Sequence, residues 1–201
     1  MFDYEAGYRA QPSKRLSFDV TGFFSDYRRL QTAEPGLPYF TLVPAPPHLV
    51  LPLVYGNFGR AKNYGVEISA QWRVTSKWLL RPGFSFLEMN VSLDPRSGDT
   101  AFPSTPDDSS KHHAGLRSTV NLPHNLEWDA SAYYVGSLEG GLVPAYTRVD
   151  TRFGWRIRES VDLSITGQNL LTPRHVEFLD ALQVNPTRVE RSVSAKVTWR
   201  F

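Results

Sequence analysis

Apolar and polar residues alternate with period two along most of this chain, which predicts strands with two unlike faces. At the C-terminus Val189, Val193, Ala195, Val197, Trp199 and Phe201 fall in one column. Arg188, Glu190, Ser192, Ser194, Lys196, Thr198 and Arg200 fall in the other, and Arg191 alone interrupts the apolar set. Residues 146–157 behave the same way, with Val149, Phe153, Trp155 and Ile157 opposite Arg148, Asp150, Arg152 and Arg156. Similar alternation over 2–10, 16–27, 64–74, 78–91, 114–122, 126–135 and 161–171 brings the total to nine predicted strands, with no helix between them. Pro82 interrupts the fourth, and Asn169 sits in the apolar column of the eighth. Most of these runs are close to the nine to eleven residues or so that a tilted strand needs to cross a bilayer.

The connections carry a second pattern. Short links at 11–15, 75–77, 123–125 and 158–160 alternate with long ones at about 28–56, 94–113, 136–145 and 173–187. Transmembrane barrels have short periplasmic turns and long extracellular loops, so their links alternate in this way. Tryptophan gives a third line. All five, Trp72, Trp78, Trp128, Trp155 and Trp199, lie near a short link or the C-terminus and in the apolar column. Indole favours the membrane–water boundary, so the five are expected to form an interfacial girdle. The fold class expected is therefore all-β: a transmembrane antiparallel β-barrel segment of about nine strands, an incomplete barrel filling residues 1–201. Nine strands starting outside and ending inside do not match the even count of bacterial single-chain barrels, so at least one further strand is expected.

Composition changes this picture little. A net charge of +2 presents no block of like charge to nucleic acid, and no nucleic-acid partner is expected. Without cysteine there is no disulfide framework and no thiolate metal site. The most apolar window, 37–55, carries Pro38, Pro44, Pro46, Pro47 and Pro52 and cannot be a spanning helix. No apolar leader follows a basic start at Met1.

Several phrases resemble the C-terminal part of TonB-dependent outer-membrane receptors. They are Asn63-Tyr64-Gly65-Val66-Glu67-Ile68; Pro144-Ala145-Tyr146-Thr147-Arg148-Val149-Asp150; Gly167-Gln168-Asn169-Leu170-Leu171 with Pro173-Arg174-His175 and Glu177-Phe178; and the terminal Trp199-Arg200-Phe201. The resemblance covers nearly the whole chain but only the last nine of the family's roughly twenty-two strands. It lacks the family's plug domain and energy-coupling box, and Ala195 and Lys196 stand where a glycine is more typical. It implies energy-coupled import of a scarce ligand such as an iron–siderophore complex or cobalamin across the outer membrane of a Gram-negative cell. The implied partners are outer-membrane lipid, the TonB complex acting through an N-terminal part absent here, and the barrel-assembly machinery, for which Trp199 and Phe201 would be the signal.

No residue pattern supports catalysis, so no enzyme activity, cofactor or metal is expected. His112-His113 beside Asp107 and Asp108 fits no zinc spacing and reads as exposed loop. His175 with Glu177 reads as solvated rim. The charged column at Arg148, Asp150, Arg152 and Arg156 is either a ligand site or the wet wall of a lumen. In the first long link Leu37, Tyr39, Phe40, Leu42 and Val43 make an apolar lip, and Tyr39 and Phe40 are the candidate ligand contacts; packing against the rim is the alternative. A passive porin-like channel and a soluble β-sandwich binding protein remain as rival readings.

Overall fold

A computed structural model of the chain describes residues 1–177 and 188–201. In chain order its strands are β1 (Phe2–Ser13), β2 (Leu16–Pro35), β3 (Tyr39–Thr41), β4 (His48–Val50), β5 (Leu53–Arg73), β6 (Trp78–Leu93), β7 (His112–Leu122), β8 (Leu126–Val135), β9 (Tyr146–Arg158), β10 (Val161–Gln168), β11 (Arg174–Val176), β12 (Arg188–Glu190) and β13 (Ser192–Trp199). Nine of them form one antiparallel meander in the order β1-β2-β5-β6-β7-β8-β9-β10-β13. These are the nine strands expected from the alternation. The remaining four pair as two small ribbons, β3 with β4 and β11 with β12. β1 and β13 are the free edges and do not pair with each other, so the sheet is open.

The short links close tightly for local reasons. Ser13 Oγ accepts from the amides of Arg15 and Leu16 at 3.2 and 3.1 Å, and Thr75 Oγ1 accepts from Lys77 N at 3.1 Å. Between β7 and β8, His124 and Asn125 both take positive φ, 61° and 56°, the twist that a tight hairpin turn requires.

Directly opposed residues in an antiparallel pair share a face. One face can therefore be followed across strands: Val197–Leu163–Trp155–Leu126–Leu122 near the short links, and Tyr8–Val20–Ile68–Phe84 farther along. It is apolar and exposed almost throughout. The other face carries Arg9, Asp19, Glu67, Arg81, Arg117, Asp129, Arg152 and Asp162. A sheet with one exposed apolar face and one charged face departs from the soluble pattern, in which the apolar face is buried, and suits a barrel wall.

Several boundaries differ from the sequence expectation. β2 and β5 run to 20 and 21 residues and pair as far as Pro35↔Leu53, so much of the expected first loop is strand. Period two is lost there because the register shifts on both sides of Leu30, next to Arg29 with φ 59°. Twenty residues span roughly 65 Å, and about 50 Å along the normal of a tilted barrel, against an apolar band of about 25 Å. The far half of this hairpin must project beyond any membrane. β10 stops at Gln168, and Asn169, at φ 54°, starts a turn. Arg191 lies between β12 and β13, its amide held by Pro173 O at 3.0 Å; it interrupts the apolar column because the strand breaks there. The β5–β6 ladder lapses opposite Arg81 and Pro82 and resumes at Trp72↔Leu80 in unchanged register, since Pro82 has no N–H to give. Phe178 and most of the last long link fall outside the described residues.

Buried residues gather near the long links: Ser25, Thr32, Ala61, Asp99, Ser110, Val143 and Asn169. Phe102, which opens a short 3-10 helix (Phe102–Asp108), lies over Gly59, whose Cβ position is 2.5 Å from the Phe102 ring. The 94–111 link thereby covers the polar face of the β2–β5 hairpin.

Candidate functional site

The polar face is organised by charge. Along β9 Arg148, Asp150 and Arg152 follow at every second position, which puts them in one column. Arg148 bonds Asp150 at 2.8 Å. Arg152 reaches across to β8 and meets both Glu127 and Asp129, at 2.8 and 2.9 Å, and Thr119 Oγ1 donates to Asp129 at 2.9 Å. Nearer the short links Asp162 takes Arg156 at 3.3 Å and Arg200 at 2.6 Å. Between these groups Arg81 stands directly opposite Arg117, which donates to Tyr133 Oη at 3.2 Å. Neither arginine has a carboxylate within salt-bridge distance among the described residues. The column expected from alternation is thus largely self-neutralising, with one cationic pair left open.

At the long-link end two acidic side chains clasp the 94–111 link onto β2. Asp99 accepts from the amides of Ala33, Ala101 and Phe102 at 2.7, 2.8 and 3.0 Å. Glu34 accepts from Ser97 Oγ at 2.8 Å and Gly98 N at 2.6 Å. These amide donors, the Ala33 N–H foremost, hold the Asp99 carboxyl below its ordinary range. Asp94 at the start of the link is gripped by Arg96 through both carboxylate oxygens, at 2.8 and 3.1 Å, and lies at about 2. Glu34 and Asp99 do not stand out in the sequence, since each reaches a backbone amide far from it along the chain, whereas Asp94 acts locally.

Tyr39 and Phe40 sit on β3 in the ribbon at the tip of the β2–β5 hairpin, where Tyr39 faces Val50 and Phe40 faces Leu49. They are 54% and 65% exposed, with Leu37, Leu42 and Val43 beside them, and Gly36 N to Pro52 O at 2.9 Å closes the base of the tip. The lip is therefore solvent-facing and apart from the charged column.

The five tryptophans lie on the apolar face close to the short links and the C-terminus, all exposed. Trp128 and Trp78 both pair with Val120, and Trp128 stacks on Phe153 at 5.8 Å. Two indole N–H groups are already bonded, Trp78 to Ser118 Oγ at 3.0 Å and Trp128 to Thr151 Oγ1 at 2.8 Å. Phe201 is fully exposed and packs edge-on to Trp199.

The histidines differ from their expected loop and rim settings. His112 and His113 open β7, and His112 lies on the apolar face 5.2 Å from the Phe86 ring. His175 has a side chain only 7% exposed, stacks on Tyr146 at 4.2 Å and meets Glu177 at 3.0 Å. Among the described residues no three His, Asp or Glu converge on a point that could hold a metal ion.

A family model described as TonB dependent receptor-like, β-barrel, matches residues 2–170. The "Probable TonB-dependent siderophore receptor PiuA" of Acinetobacter baumannii is 25% identical over 141 residues, 62% of this chain and 18% of that protein. The "Catecholate siderophore receptor Fiu" of Escherichia coli K12 is 24% identical over 138 residues, 63% of this chain and 18% of that one. The crystal structure of PiuA superposes with a TM-score of 0.72 at 21% identity, over 98% of this chain and 28% of its own. The chain thus spans under a fifth of the length of the curated relatives it matches. With its open, two-faced meander and a family match over most of its residues, this protein belongs to the TonB-dependent receptor β-barrel family.

Proposed function

We propose that this chain forms part of the barrel wall of an outer-membrane receptor that imports an iron–siderophore complex, drawing energy from the inner membrane through TonB. The observation that carries this is the pairing of an exposed apolar face with a charged opposite face, in a chain whose relatives are named as siderophore receptors. Both sheet edges expose unpaired backbone, and each unsatisfied group in hydrocarbon costs several kcal/mol, so further strands must pair with β1 and β13. The receptor acts by binding and gated passage and makes or breaks no covalent bond. Trp72, Trp78, Trp128, Trp155 and Trp199 form its periplasmic-side girdle, Trp199 and Phe201 its signal to the barrel-assembly machinery, and Tyr39 and Phe40 its outer ligand contacts.

The test is uptake of radioactive iron, supplied as a ferric catecholate, by cells whose only such receptor is the complete protein. Uptake should saturate and stop when the proton-motive force is collapsed. Tyr39→Ala combined with Phe40→Ala should raise the half-saturating concentration about fivefold or more. Uptake that is unsaturable and indifferent to energy would instead identify a passive channel.

A further inference from the structure

We propose that the short-link end of the sheet carries a docking surface for an acidic peptide segment of a periplasmic partner, built on Lys14, Arg15, Arg73 and Lys77; this rests on the reading above, in which the short links face the periplasm. Arg15 immediately precedes β2 and Arg73 closes β5. The Arg73 amide donates to Arg15 O at 2.7 Å, so the two arginines continue the β2–β5 ladder directly opposite each other. Like charges so placed repel. Lys14 adjoins Arg15 in the first short link, and Lys77 stands one residue before β6, its carbonyl accepting from Asn121 N at 2.8 Å.

All four side chains are exposed, and among the described residues no salt bridge engages any of them. On β2 the nearest carboxylate, Asp19, is held by Arg9. On β5 the nearest, Glu67, is six residues from Arg73, roughly 20 Å along the strand. The other short links do not share this excess. Residues 123–125 include no Lys, Arg, Asp or Glu, Arg158 is followed by Glu159, and Asp162 takes both Arg156 and Arg200. The cationic patch is therefore confined to one sector of the rim, β1-β2-β5-β6.

Facing decides what this patch can meet. Leu16 and Trp72 oppose each other on the apolar face, so Arg15 and Arg73, one residue on, turn to the charged face, and Lys77 beside Trp78 turns the same way. Lipid headgroups lie against the apolar face, whereas these side chains border the aqueous side of the rim. A small anion would engage a single pair. The cations instead spread over neighbouring strand ends about 5 Å apart, and an extended peptide puts every second side chain on one side, about 7 Å apart. Successive carboxylates of such a segment can cross from Lys14 to Lys77, each bonded to a guanidinium or an ammonium.

The experiment titrates the complete receptor, purified in uncharged detergent, with a labelled peptide carrying glutamate at every second position, with its glutamine counterpart and with phosphatidylglycerol. Wild type should bind the glutamate peptide, release it as salt rises and ignore the glutamine peptide. Lys14→Gln/Arg15→Gln/Arg73→Gln/Lys77→Gln should lose about tenfold or more in affinity, while Arg60→Gln/Lys62→Gln, farther along β5 toward the long links, should bind as wild type. Arg15→Glu/Arg73→Glu should instead take a lysine version of the peptide, a gain that misfolding would not produce. Equal binding by wild type and the quadruple variant overturns the site, as does an equal loss in the Arg60 and Lys62 control. Displacement of the peptide by phosphatidylglycerol in wild type overturns the peptide as occupant in favour of lipid. Ser76→Cys, in the same rim, separates the readings through a maleimide too large to cross the outer membrane. Labelling only after that membrane is opened, together with equal peptide binding, defeats the docking surface alone, whereas labelling on intact cells defeats both.

Discussion

Gly65 shows how a single residue can be fixed by a neighbour far away in sequence. A Cβ placed there would run into the backbone carbonyl of Phe86 on β6 and lie 2.6 Å from Phe23 Cζ, whose ring lies across the backbone of β5 on the polar face. Gly83, on the same face, meets nothing closer than 3.8 Å. Gly65→Ala should therefore cost about 1–3 kcal/mol by overpacking, while Gly83→Ala stays within about 0.5 kcal/mol of wild type; thermal unfolding of the complete receptor in detergent checks both. Asp94 supplies a pH dependence. Arg96 depresses its carboxyl from the ordinary 3.8 to about 2, so the folded link is favoured by the ionised form. That contribution is whole above about 4 and fades as pH falls through about 2. Pepsin cleavage within 94–110, measured relative to an unfolded peptide of the same sequence, should rise across that window. In Asp94→Asn it should be high throughout.

At the scale of the strand, position along the apolar face decides what a charge costs. Ile68 pairs with Phe84 and Val20 about midway between Trp72 and Tyr64, whereas Phe153 is paired with and stacked on Trp128, a member of the proposed girdle. Ile68→Arg should destabilise by about 2–4 kcal/mol and Phe153→Arg by about 0–1 from lipid exposure alone, because penalties for lipid-facing Arg fall off toward the interface. Denaturant unfolding in lipid vesicles measures the difference. Equal costs at the two positions would mean that the depth assignment along the strands is wrong. The β2–β5 hairpin adds a different consequence of length. Its outer half clears the bilayer and must find its own stabilisation, and it does so through Phe102 over Gly59 and the carboxylates of Glu34 and Asp99.

For the whole molecule the proposed girdle of Trp72, Trp78, Trp128, Trp155 and Trp199, with the row of Tyr4, Phe24 and Tyr64 as the opposite border, predicts a slab between them. Receptors retaining one tryptophan each, placed in vesicles with lipids brominated at different depths, should all be quenched more by shallow bromines than by central ones. Insensitivity to every bromolipid would put the tryptophans in a protein core and favour a soluble sandwich. Two of the indoles donate to hydroxyls on neighbouring strands, Trp78 to Ser118 and Trp128 to Thr151.

Period two is a local property, and it alone determined which residues of the main sheet share a face, how many strands that sheet has and which links are short. The resemblance carried by Asn63–Ile68 and Gly167–Leu171 was local too, and the family match agrees with it. Register is not local. Which row of one strand meets which row of the next depends on hydrogen bonds between segments far apart, and the two register shifts flanking Leu30 hide residues 28–35 of β2 from any test of periodicity. Hence the sequence could place Arg81 and Arg117 in polar columns but not opposite each other, and Tyr4, Phe24 and Tyr64 in apolar columns but not in one row. The burial of His175 against Tyr146 and the clasp of Asp99 on Ala33 likewise needed tertiary packing, because each joins segments far apart along the chain that local chemistry does not connect.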